Sequence, residues 1–148
     1  MSSTDVLPYE TTLLVKDSCL CLHVQRAARL LARRFDDALR PFGLTNGQFS
    51  LLMSLNRPEP PPMGPVASLL AMDRTTLTAA LKPLERRGLV GICRDPSDRR
   101  SRILVLTEKG RKLLARALPV WKSTHAAIEK PLAEDEPERL RKSLKCLS

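Results

Sequence analysis

One segment, Asp73–Arg87, constrains the fold more than any other stretch of the 148 residues. On a helical wheel Leu77, Ala80, Leu81 and Leu84 fall together and ask for a core. Thr75, Thr78, Ala79, Lys82 and Arg86 fall on the opposite side, with Arg74 exposed at the first turn. Asp73 is a good N-cap and Gly88 a stop. Two β-type runs follow at once, Leu89 to Arg94 and Arg102 to Thr107, and Asp95 to Ser101 reads as the tip of a hairpin. Upstream, Pro65 to Ala71 reads as a short helix with Pro65 in its first turn and Met72 in the turn to the next helix. A short helix, a three-residue turn, a helix with a polar outer face and a basic hairpin form a winged helix-turn-helix pattern.

The flanks read as helices. Leu20, Val24, Ala27, Ala28, Leu31, Phe35, Ala38 and Leu39 recur at helical spacing from a start near Asp17-Ser18 to a stop at Pro41 and Gly43. Thr45 with Gln48 forms a capping box, and Leu44 against Phe49 a hydrophobic staple, for a helix that ends before the proline-rich stretch Arg57–Pro62. Thr107 caps a long pattern carrying Leu114, Leu118, Trp121, His125, Ile128 and Leu132, which Pro119 should kink. Pro131 and Pro137 bracket a break before a last helix with Leu140, Leu144 and Leu147.

Charge and composition narrow the chemistry. A formal net charge of +9 favours a polyanionic partner, while 3% aromatic residues argue against a stacking platform for single strands. Small hydroxyls and cations on one helix face suit a major groove, where Thr touches base edges and Arg or Lys reaches guanine or phosphate. Arg94, Arg99, Arg100 and Arg102 cluster on the hairpin, and a slim arginine-bearing loop suits the electronegative minor groove. The plain alternative is a solvated helix face and a solvated turn. No stretch approaches 18 apolar residues, and Met1 to Glu10 carries no basic region followed by an apolar run. Neither a membrane span nor a signal peptide is expected, and a reducing cytoplasm suits four cysteines without a CxxC pair.

The combination resembles the MarR family of bacterial winged-helix regulators. The resemblance is carried by Gly43-Leu44-Thr45 with Gln48-Phe49, by Met72 to Thr78, by Leu84 to Val90, by Asp95 to Ser101 and by Leu106 to Gly110. It implies a mainly α fold with a small β-wing: four helices, the wing, then two further helices. The winged helix-turn-helix lobe spans 43–109, and the terminal helices, 17–42 and 110–148, form a homodimerisation lobe within a single 1–148 domain. It implies a regulator of transcription, a repressor, that binds a palindromic double-stranded operator as a homodimer and is released by a small aromatic or phenolic effector. Half-sites one helical turn apart, about 10 base pairs, would follow from such a dimer. The DNA-binding residues would be Arg74, Thr75, Thr76, Thr78, Lys82, Arg86, Asp98, Arg99 and Arg100, with Arg100 in the minor groove and Asp98 holding it in position. Ala79 stands where many relatives carry a polar or basic reader, and Pro83 should bend the recognition helix. No cofactor and no membrane partner is implied.

The alternative switch is oxidation of Cys21, which lies near a helix start where the peroxide-sensing branch of the family places its reactive thiol. Cys93 and Cys146 read as core residues and His125 as an interface residue. Arg26, Arg29 and His23 on the first helix suit an anionic effector. Two histidines and scattered cysteines compose no zinc site. An enzyme would need a nucleophile, base and orienting group in one pocket, and none can be placed. A nonspecific basic protein would spread its charge along one amphipathic face, whereas here cations interleave with acids.

Overall fold

The computed structural model describes residues 6–148. Their elements are α1 (Tyr9–Ser18), α2 (Leu20–Leu39), a 3-10 turn (Arg40–Phe42), α3 (Asn46–Ser54), α4 (Met63–Leu69) and α5 (Arg74–Arg86), then β1 (Val90–Asp95), β2 (Asp98–Leu106), α6 (Glu108–Glu129) and α7 (Glu136–Cys146). The fold is mainly helical with a two-stranded antiparallel wing, as the sequence implies. One helix was not anticipated: α1 precedes the expected first helix. Cys19 separates the two in an extended conformation, with φ −69° and ψ 108°. The expectation of no leader falls partly on residues 1–5, which lie outside the described residues. No helix among the described residues is long and apolar enough to cross a membrane.

The chain divides into two compact units, Met1–Arg34 and Phe35–Ser148, with the boundary inside α2. In the first unit none of the described residues is buried. Leu7, Leu14, Leu20 and Leu30 are all exposed there.

The second unit holds the core. The expected stripe of α5 is its centre, with Leu77, Leu81 and Leu84 fully buried beside Leu39, Leu52, Leu89, Leu104 and Leu114. Thr45 closes the start of α3 as a reciprocal capping box with Gln48, and Leu44 and Phe49 are both buried in the core, as a staple requires. Asp36 joins the end of α2 to α3, accepting the Asn46 amide at 2.7 Å and its side-chain Nδ2 at 2.8 Å. These bonds hold its carboxyl below the usual carboxylate range. Trp121 of α6 stacks on Phe35 at 6.3 Å, Phe49 at 6.0 Å and His125 at 4.8 Å. His125 is thereby half-buried, its Nε2 3.4 Å from Glu129, and Arg141 of α7 reaches the same carboxylate at 2.7 Å.

Candidate nucleic-acid interface

The turn between α4 and α5 is built from main-chain hydrogen bonds. Met72 N–H donates to the Ala67 carbonyl at 2.9 Å and Ala71 N–H to Ser68 at 3.2 Å, the paired bonds of a Schellman stop. Its left-handed position is held by Ala71 at φ 53°, where glycine would be unstrained. Asp73 then caps α5, accepting the Thr76 amide at 2.7 Å, and that bond keeps its carboxyl below the ordinary value. The Thr75 amide also contributes to that shift, so the cap side chain engages the first turn of α5 at two amides.

With the leucine stripe buried, the opposite face of α5 is open. Arg74, Thr75, Thr76, Thr78, Lys82 and Arg86 are all exposed, as is Ala79. The Thr78 hydroxyl donates to the Arg74 carbonyl at 2.8 Å, leaving its methyl and an acceptor lone pair outward. Pro83 lies within α5 without ending it. Lacking an N–H, it leaves the Ala79 carbonyl without its usual main-chain donor.

The wing is longer in strand and shorter in tip than the sequence suggests. The register runs from Val90↔Leu106 to Arg94↔Arg102, and an irregularity after Arg94 brings Asp95 opposite Asp98. Only Pro96 and Ser97 turn the chain, so Arg99 and Arg100 stand on β2 and not in a loop. Asp95 Oδ1 accepts the Ser97 amide at 2.8 Å, which makes the tight turn possible. Asp98 Oδ1 accepts the Arg100 amide at 3.0 Å, so Asp98 holds Arg100 by its main chain. Arg94 and Arg102 face one another across the ladder, a like-charge pair that destabilises a hairpin until an anion neutralises it. Among the described residues no carboxylate lies within 4.0 Å of Arg74, Lys82, Arg86, Arg94, Arg99 or Arg100.

The wing base is tied to both neighbouring helices. Thr107 caps α6 by accepting the Gly110 amide at 3.1 Å, while its hydroxyl donates to the Gly88 carbonyl at 2.6 Å. Lys109 Nζ donates to the Arg87 carbonyl at 2.8 Å, and the Arg87 guanidinium donates to the Gly43 carbonyl at 2.6 Å. The Leu104 amide donates to the Pro61 carbonyl at 2.9 Å, so the proline-rich stretch lies along β2. Proline suits that place because an edge residue need not donate. The roles of Arg87 and Lys109 were not read from sequence. Gly43, held at φ 66° against the Arg87 side chain, was the available hint.

The cysteines depart from expectation. Cys93 and Cys146 are exposed, not core residues, because β1 leaves the core before Cys93 and α7 buries no residue. Cys21 is exposed and its Sγ accepts from Gln25 Nε2 at 3.1 Å. His23 Nδ1 is 2.8 Å from the Cys19 carbonyl, and Arg29 donates to Gln25 at 3.4 Å. No group of three His, Cys, Asp or Glu residues among those described could hold a metal ion.

This arrangement of α4, turn, α5 and an arginine-bearing hairpin defines the winged helix-turn-helix class. Residues 44–101 match the MarR family model. The transcriptional repressor CouR bound to a 23-mer DNA duplex superposes with a TM-score of 0.80 at 34% identity, over 90% of this chain and 94% of that one. CouR from Rhodococcus jostii RHA1 has also been solved with p-coumaroyl-CoA, at 25% identity and a TM-score of 0.77 over 88% of this chain and 92% of that one. The M. tuberculosis regulator MOSR in complex with DNA matches at 38% identity and a TM-score of 0.79, over 88% and 93% of the two chains. The Escherichia coli K12 transcriptional repressor MprA is 30% identical over 90% of this chain and 73% of its own length. Against several other curated relatives the match spans only 50 to 64% of their length. The chain belongs to the MarR family of winged helix-turn-helix transcriptional regulators, a family of regulators and not of enzymes.

Proposed function

We propose that the protein binds double-stranded DNA sequence-specifically as a homodimer, represses transcription from a palindromic operator in a reducing cytoplasm, and is released by a small aromatic or phenolic effector. The observation that carries the reading is the set of uncompensated cations on one lobe: Arg74, Lys82 and Arg86 on α5, and Arg94, Arg99 and Arg100 on the wing. Thr75, Thr76 and Thr78 stand beside the α5 cations as readers of base edges. Arg100, fixed by Asp98, enters the minor groove, and Arg99 lies along the backbone. The DNA complexes of CouR and MOSR support this reading, as does the repressor MprA.

Dimerisation is supported by apolar residues that the single chain leaves open. Leu14, Leu20 and Leu30 in the first unit, and Leu140, Leu144 and Leu147 near the C-terminus of the second, are each exposed by 41% or more. Residues 6–34 bury nothing themselves, and a second copy of the same surface is the occupant that matches it. The lobes are then residues 43–109 for DNA and 17–42 with 110–148 for the partner. An aromatic effector accords with the p-coumaroyl-CoA complex of CouR, and a ligand acts by favouring one dimer geometry.

The test is selection of duplexes from random DNA, followed by gel-shift titration of wild type and Arg100→Ala. A palindromic site, affinity that falls steeply with salt, and a loss of about 1–3 kcal/mol in the variant are expected. Unchanged affinity in Arg100→Ala would remove the wing from the interface.

Oxidation of Cys21 is a second reading, favoured by its exposure and by the Gln25 amide donating to its sulfur. Peroxide would convert the thiol to a sulfenic acid with release of water. Peroxide should then abolish operator binding in wild type and spare Cys21→Ser; an equal response of both ends this reading.

A further inference from the structure

The end of α5 is fastened by side chains that the interface described above does not use. Lys109 Nζ of α6 donates to the Arg87 carbonyl at 2.8 Å, and Thr107 Oγ1 donates to the Gly88 carbonyl at 2.6 Å. The Arg87 guanidinium reaches the turn between α2 and α3, donating through Nη1 to the Gly43 carbonyl at 2.6 Å and through Nη2 to the Phe42 carbonyl at 3.4 Å. Gly43 permits that approach, because a Cβ there would stand 3.1 Å from Nη2. Arg87 is exposed, yet among the described residues no carboxylate lies within 4.0 Å of it. Its charge is met by main-chain carbonyls, at a helix C-terminus where a cation is favoured.

We propose that Arg87 is a positioning residue: it fixes the roll of α5 about its own axis and so sets operator specificity, while adding little to general DNA affinity. The proposal rests on the reading of α5 given above. Leu77, Leu81 and Leu84 hold α5 by one buried stripe, and apolar contacts are non-directional. Such a stripe resists lifting of the helix better than rolling. Directional bonds away from the axis supply the missing restraint, from α6 through Lys109 and from the α2–α3 turn through the guanidinium. With side-chain tips about 5–6 Å from the axis, a roll of about 10° carries Thr75, Thr78 and Lys82 sideways by roughly 1 Å. Base-edge bonds do not survive that offset, since a binding constellation must be held within about 0.5 Å. Phosphate attraction survives it, because charge acts over a longer range. Arg87 is itself badly placed for the duplex. It is the C-cap of the 13-residue α5, about 20 Å along the axis from Arg74, and its donors are spent on Phe42 and Gly43.

The experiment is a gel-shift titration of the full chain over a salt series, with a duplex selected from random DNA and a scrambled duplex of the same composition. Arg87→Met keeps the apolar stem and removes the donors. It should bind the selected duplex at least tenfold more weakly, bind the scrambled duplex within about twofold of wild type, and keep the wild-type salt slope. Arg87→Lys, which retains one donor, should recover part of the preference. If Arg87 met a phosphate, both affinities would fall and the slope would shrink by about 0.9, which overturns the positioning role. Wild-type affinity of Arg87→Met for the selected duplex overturns it too. Lys82→Ala separates this failure from failure of the α5 reading. If Lys82→Ala weakens binding and Arg87→Met does not, only the positioning role falls. If wild type shows no preference for the selected duplex, or Lys82→Ala binds as wild type does, the α5 reading falls and the positioning role with it. Circular dichroism at the titration temperature checks folding. Should Arg87→Met be unfolded there, Lys109→Met, which removes only the bond to the Arg87 carbonyl, is read in the same way.

Discussion

Gly110 tests how the wing base is built, because two effects of opposite sign meet there. It sits in the first turn of α6, where alanine is ordinarily favoured over glycine by about 1 kcal/mol. A Cβ at Gly110 would overlap the Leu89 carbonyl oxygen and stand 2.8 Å from Leu106 Cδ1 and 3.2 Å from the Leu89 carbonyl carbon. Comfortable carbon–carbon separation is about 3.5–4.0 Å, so the Leu106 methyl must retreat by roughly 0.7 Å or more. The Leu89 oxygen cannot yield as cheaply, since it accepts the Thr107 amide at 3.1 Å. Overpacking of this kind costs about 1–3 kcal/mol, at the upper end when backbone must move, and weakening one hydrogen bond adds about 1 kcal/mol. After the propensity gain, Gly110→Ala should be destabilised by about 3 kcal/mol. In a chain of this size that lowers Tm by roughly 10 °C. Gly47→Ala is the control, because nothing lies within 4 Å of its added Cβ inside α3, and it should gain about 0.5 kcal/mol. Urea and thermal unfolding followed by circular dichroism, at one protein concentration because association adds to apparent stability, measures both. If Gly110→Ala melts with or above wild type, α6 does not pack against Leu89 as described.

Ala71→Gly relieves a left-handed alanine at the helix-turn-helix corner and should stabilise by up to about 1 kcal/mol in urea unfolding, part of the gain being lost to the freer unfolded chain. Asp36 and Asp73 both have depressed folded-state pKa values, so the stability they contribute is present above the ordinary carboxylate pKa and lost as pH falls through the folded values. Unfolding free energy should therefore decline below about pH 4, and Asp36→Asn should flatten that decline when the pH series is repeated.

What the sequence disclosed and what it hid divide by the range of the interactions. The leucine stripe of α5, the capping box at Thr45, and the Asp73 and Thr107 caps each rest on residues three or four positions apart, so period and spacing reveal them. The exposed face of α5 follows from the same period, since burying Leu77, Leu81 and Leu84 leaves Thr75, Thr78 and Lys82 outside. The Arg87 bond to Gly43 spans 44 positions, and no periodicity records such a pairing. The contact of Pro61 with Leu104 is hidden for the same reason, and so is the Lys109 bond to the Arg87 carbonyl. The wing tip is shorter than its composition suggests for a different reason. Six polar residues and a proline from Asp95 to Ser101 look like a loop by composition, yet the Asp95 side chain closes the turn on Ser97 and lets pairing resume at Asp98. That single side-chain bond places Arg99 and Arg100 on a strand, where successive side chains point to opposite faces. Two adjacent arginines on a strand cannot both address one groove floor in the same way, which accords with the proposal, made on the resemblance, that Arg100 enters the groove while Arg99 meets the backbone beside it.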